Sequence, residues 1–196
     1  MKKCIYSILQ LLPLVVYPQS YQTVESAEER GRAEYGVYYK DINSVFNGYE
    51  GTYEYTGPGF YFKIVLVKMF SNVSNYFYED TLAGTYQYVH NGIDKNYLDD
   101  SLYGLANDAG LRIKLGSIRQ PLPSFCLECL PEKYLTGAIF DRENDKVSSL
   151  YVAKKVHNGE EGIQLWFLLH LESPSHEESE QPINLPIGEF FMKKIN

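Results

Sequence analysis

Cys126-Leu-Glu-Cys129 is the sharpest reactive spacing in this chain of 196 residues. Two cysteines three positions apart can close a local disulfide, supply half of a metal site or form a redox pair. The redox reading needs a helix N-terminus beneath the first cysteine. Pro121, Pro123 and Pro131 crowd the pair instead, as in a loop between strands. A structural zinc site needs four ligands, and His90, His157, His170 and His176 recur at no ligand spacing. A Cys126–Cys129 disulfide is the favoured expectation, the other two readings stay open, and neither a metal nor a cofactor is assigned.

The remaining chemistry is sparse. Neither Gly-x-Ser-x-Gly nor His-Glu-x-x-His nor a phosphate-binding glycine loop occurs, so the expectation is a non-enzymatic protein. Asp99-Asp100 and Asp141-Arg-Glu-Asn-Asp145 gather carboxylates, which turn solvation explains better than calcium binding. Aromatic residues carry more weight. Of the 18 tyrosines, all but Tyr6 and Tyr17 follow residue 20, many on successive candidate strands. Tyrosine combines apolar area with a hydroxyl handle, so such residues can line a ligand pocket or stack on sugar rings; filling a barrel interior is the simpler use.

The elements that must position these residues are strands. Tyr49 to Lys68 reads as a complete hairpin. Tyr49, Gly51, Tyr53 and Tyr55 share one face of a period-two strand, and Glu50, Thr52 and Glu54 share the other. Thr56-Gly-Pro-Gly59 interrupts with turn residues before a β-branched and aromatic strand. The alternation turns Tyr53, Tyr55, Phe60, Phe62, Ile64 and Leu66 inward, and these six are the candidate ligand-binding residues of a barrel interior. Further strands are expected at 76–82, 84–89, 111–115, 134–140, 147–154, 163–171 and 187–193. Tight turns at His90-Asn-Gly92 and His157-Asn-Gly159 separate some of them. Short links and the absence of β-α alternation predict an all-β antiparallel meander. It closes into a barrel of about eight to ten strands, because closure removes the sheet edges.

Three regions follow. Residues 1–20 carry Lys2 and Lys3, then the apolar run from Ile5 to Val16, then Pro18-Gln-Ser20. That order is a secretory signal peptide, and the run is too short to span a bilayer. Residues 21–47 form a polar N-terminal arm, where Asp41 is expected to cap a short helix over Asp41–Phe46. Residues 48–196 form the barrel domain, with Glu172 to Asn184 as an acidic loop. Export places the mature protein in the periplasm or outside the cell. Losing Lys2 and Lys3 takes the formal charge from −7 to −9, which disfavours nucleic acid and anionic membranes as partners. A small apolar ligand is the expected partner, no membrane span is expected, and the oligomeric state is left open.

Gly51-Thr-Tyr-Glu-Tyr55, leading to Val-Leu-Val-Lys68, resembles the opening strand of lipocalin-like barrels, with Tyr53 where those carry tryptophan. The chain also resembles a family of uncharacterised secreted Bacteroidetes proteins, a domain of unknown function. The matching segments are Tyr39-Lys-Asp-Ile-Asn43, Gly51-Thr-Tyr53 and Pro186-Ile-Gly-Glu-Phe-Phe-Met-Lys193. The resemblance implies export and a calycin-like barrel, and it carries over no catalytic residue. The surface alternative to internal ligand binding is an interaction or glycan-contacting module.

Overall fold

The computed structural model describes residues 21–24, 34–73, 77–98, 112–120, 126, 128–130, 133–141, 146–171, 185 and 188–195, the side chains of 71–73 and 168–171 excepted. The expected signal peptide at 1–20, most of 95–110, and the acidic run from Glu172 to Asn184 lie outside them. The strands are β1 (Tyr21–Thr23), β2 (Tyr38–Lys40), β3 (Gly51–Gly57), β4 (Phe60–Val73), β5 (Phe77–His90), β6 (Ile93–Asn96), β7 (Ile113–Arg119), β8 (Tyr134–Asp141), β9 (Lys146–His157), β10 (Glu160–Leu171) and β11 (Gly188–Lys194).

Eight of them form a closed antiparallel barrel in the order β3-β4-β5-β7-β8-β9-β10-β11, with β11 returning to β3. This is the up-and-down architecture of lipocalin-type barrels. Local chemistry sets the hairpins. Asn91-Gly92 and Asn158-Gly159 take positive φ at both positions, 49° and 81° in the first turn and 51° and 80° in the second. This is the type I′ geometry whose twist matches the strands. Pro58-Gly59 instead uses proline before a glycine at φ 87°, the signature of a type II turn.

One strand differs from the sequence expectation in a telling way. Residues 76–82 and 84–89 are not two strands, because β5 runs unbroken from Phe77 to His90 along the whole of β4. Gly84 marks a close approach rather than a break: a Cβ there would lie 2.8 Å from both Leu66 Cδ2 and the Val65 carbonyl oxygen. The other edge of β5 is divided among three partners. β2 pairs at Tyr78–Glu79, β7 at Leu82–Gly84 and β6 at Gln87–His90. The arm is also more ordered than expected. β1 and β2 pair in parallel with each other, and β2 in parallel with β5, extending the sheet beyond the barrel wall.

The arm then folds across one barrel end. The short helix is a 3-10 turn at Phe46–Tyr49, not a helix over Asp41–Phe46, and the residue preceding it is Val45. Asp41 still serves its amides. Its carboxylate accepts hydrogen bonds from Val45 N–H at 2.8 Å and Phe46 N–H at 3.0 Å. Phe46 and Tyr49 are thereby driven into the core. Asp80 ties this plug to β5, accepting from Tyr38 OH at 2.6 Å and from the Asp41 amide at 2.9 Å. Lys68 Nζ sits 3.0 Å from Asp41 and 3.7 Å from Asp80, balancing two carboxylates that are almost wholly enclosed. Removing one partner from such a network leaves buried charge unanswered.

The β7–β8 seam allows a direct test of the packing. A Cβ on Gly137 would fall 1.9 Å from the Lys114 carbonyl oxygen, a clash with backbone that no side-chain rotation relieves. Gly137→Ala is expected to destabilise the protein by on the order of 3 kcal/mol in urea unfolding. Gly116→Ala, whose Cβ meets nothing nearer than 3.5 Å, should stay within about 0.5 kcal/mol.

Candidate functional site

All six candidate interior residues belong to the core. Tyr53, Phe62, Ile64 and Leu66 are buried, and Tyr55 and Phe60 pack against them half-buried. Register explains the shared face, since Tyr53 stands opposite Ile64 and Tyr55 opposite Phe62. They do not form one site. Tyr53 points toward the plugged end, where its hydroxyl donates to the Tyr49 carbonyl at 3.0 Å and the Lys194 ammonium lies 5.7 Å from its ring. Ile64 and Leu66 pack in mid-barrel.

Tyr55, Phe60 and Phe62 lie toward the opposite end, and strands distant in sequence bring further rings to them. Phe60 lies 4.9 Å from Tyr55, 5.2 Å from Phe190 and 5.9 Å from Tyr88, centroid to centroid. Phe62 lies 5.9 Å from both Tyr88 and Phe167. His90 stacks on Tyr88 at 6.0 Å. The cluster grades from fully buried Phe62 to the half-buried rings of Tyr55, Phe60 and His90 at the mouth. In the sequence His90 opens a turn motif and carries no sign of this cluster, while the alternation in β11 is the available signal for Phe190.

A buried ion pair stands at the same end. Lys95 Nζ lies 3.1 Å from Asp141 Oδ1, both side chains nearly inaccessible. Beside it the Arg112 guanidinium stacks 3.8 Å from the Tyr97 ring centre, and Tyr97 packs on Tyr86. This end therefore combines a cluster of apolar rings with charges that are paired and enclosed beside them. The sequence expectation for Asp141 is a solvated turn. Burial with Lys95 corrects that reading, since a buried carboxylate requires a paired charge.

A family model described as a family of unknown function, DUF6705, matches residues 1–194. The chain belongs to the DUF6705 family. Neither a curated protein nor a solved structure matches it. For this DUF6705 member, then, the geometry itself is the guide to chemistry. Among the described residues, no group of three or more His, Cys, Asp and Glu is arranged to hold a metal ion, and no helix is long and apolar enough to cross a membrane.

Cys126 and Cys129 are joined as a disulfide, with Cα atoms 5.4 Å apart. The bridge is held on the outside of the barrel, where Cys129 pairs with Lys155 of β9 and Glu128 forms a 3.2 Å ion pair with Lys155. Beneath it lie Ala153 and Trp166, flanked by Tyr134 and Tyr151. Trp166 is the sole tryptophan, so it reports on the bridge alone. Disulfides quench indole emission on contact. Reduction of the folded protein should therefore raise Trp166 fluorescence while the far-UV spectrum is kept; unchanged emission would contradict this packing.

Tyrosine burial also sets a limit at high pH. Burial, reinforced by nearby Glu161, pushes the Tyr53 hydroxyl up to about 12 from 10.0. Burial and the bond to Asp80 push Tyr38 up as well. In the unfolded chain these groups lose their protons near the ordinary value, so the folded state holds more protons above it. Stability from this source is complete below pH 10 and drains as pH rises through about 12. Alkaline melting followed by tyrosinate absorbance should show phenols that ionise only as the fold is lost.

Proposed function

We propose that this protein is an exported, non-enzymatic binder of a small, largely apolar ligand held at the open mouth of the barrel. The observation that carries this reading is the graded ring cluster of Tyr55, Phe60, Phe62, Tyr88, His90, Phe167 and Phe190. It begins inside the core and emerges half-buried at the mouth. The enclosed Lys95–Asp141 pair braces β6 against β8 beside this cluster. Two features support export: the basic-then-apolar N-terminal segment, and a disulfide, which persists in oxidising compartments.

The surface-module reading has one observation in its favour. Phe70 is 56% exposed. It stacks on Tyr78 at 5.5 Å and meets Tyr38 edge-on at 5.3 Å, making an aromatic step beyond the barrel wall suited to a flat partner.

Native mass spectrometry of protein recovered from the cell envelope, followed by solvent extraction, separates the two. The mouth reading expects a retained apolar molecule, lost in a Tyr55→Ala/Phe60→Ala double variant that keeps its β-spectrum. Both residues are half-buried, so this variant should be better tolerated than Phe62→Ala, which is expected to cost about 3–5 kcal/mol. Equal retention by the folded double variant would exclude the mouth; loss of partner binding on Phe70→Ala would favour the surface module.

A further inference from the structure

The outer wall carries a concave polar site separate from the mouth. Pleat alternation sends Leu115, Leu135 and Ile139 into the core and leaves Lys114, Thr136 and Phe140 half-buried on the other face. With Glu79, Tyr39 and Ser117 they border a cavity of about 300 Å³. Its opening has a local cause. Leu115 pairs with Gly137 and Ser117 with Thr136, so Gly116 is the extra residue of a β-bulge. With no side chain at Gly116, the space above Thr81 and Glu79 stays clear.

Lys114 Nζ lies 3.1 Å from Glu79 Oε1, and the two side chains are 18% and 16% exposed. A fixed donor and a fixed acceptor thus stand side by side with no net charge between them. An anion entering the groove meets the Glu79 carboxylate, and a cation meets the Lys114 ammonium. A zwitterion would bring two more full charges that must both be desolvated in the groove. A hydroxyl both donates and accepts, so neighbouring hydroxyls of one molecule can bond both groups while the pair stays intact. Ser117 and Thr136 add hydroxyls, and the rings of Tyr39 and Phe140 add apolar surface for C–H faces. The volume sits at the lower end for small-molecule sites.

We propose that this groove binds a neutral polyhydroxylated ligand of monosaccharide size, held through Lys114 and Glu79. The site is independent of the mouth and does not rest on apolar-ligand binding there.

The test is a titration of the isotope-labelled full chain, followed by amide shifts, with glucose and N-acetylglucosamine as probes. Alanine and inorganic phosphate serve as zwitterionic and anionic comparisons. The expected result is that a sugar shifts the Gly116, Ser117 and Thr136 amides. Glu79→Gln should weaken the effect roughly tenfold or more, and Gly116→Leu, which fills the cavity, should abolish it. If neither sugar moves these amides at millimolar concentration, the proposal is overturned. Shifts caused by alanine or phosphate instead, or sugar shifts that survive in a folded Gly116→Leu, also overturn it. The wild-type titration decides the matter even where a variant fails to fold. Sugar shifts confined to Tyr55, Phe60 and Phe190 would overturn the groove and bear on the mouth instead.

Discussion

Three residue pairs between β5 and β7 turn a sheet into a barrel: Leu82 with Leu115, Ala83 with Lys114 and Gly84 with Ile113. Every other wall of the barrel is a ladder between neighbours in the meander, or the return of β11 to β3. The β5–β7 seam is narrow because β5 shares that edge with the arm on one side and with β6 on the other. Gly84 keeps it tight, since a Cβ there would lie 3.2 Å from the Ile113 Cβ across the seam. A side chain at Gly84 would push the strands apart where only three residue pairs hold them.

Both candidate sites inherit their geometry from this seam. The mouth needs β4, β5, β10 and β11 wrapped so that Phe60, Tyr88, Phe167 and Phe190 converge. The outer groove needs β7 bulged beside β5, which sets Lys114 against Glu79. At the opposite end the arm plugs the barrel through Asp41, Asp80 and Lys68, so the two ends differ in character. One is closed by polar hydrogen bonding over Phe46 and Tyr49, and the other is lined by aromatic rings.

The barrel class was legible in the sequence because strand period and turn chemistry are local. The alternation of Gly51 to Lys68 fixes which side chains share a face, and Asn-Gly turns fix the hairpins, whereas Tyr49 ends the 3-10 turn instead of opening the strand. Gly84 misled, since a glycine demanded by a close tertiary approach looks the same in sequence as one demanded by a turn. The Asp41 carboxylate was rightly placed beside helical amides, but the turn it serves starts five residues later. Convergence was the hidden part. Lys95 and Asp141 lie 46 positions apart, and Phe60 meets Phe190 only after closure. No local pattern encodes such meetings, nor the bulge at Gly116 that opens the groove.

Amide hydrogen exchange across the seam tests closure most directly. A closed barrel predicts that the hydrogen-bonded amides of Leu82–Gly84 and Ile113–Leu115 exchange only with global unfolding, in the same slow class as those of Val152 and Leu165 in the β9–β10 ladder. Rapid exchange at the seam, with β9–β10 still protected, would describe an open curled sheet and contradict the closed barrel on which both sites depend.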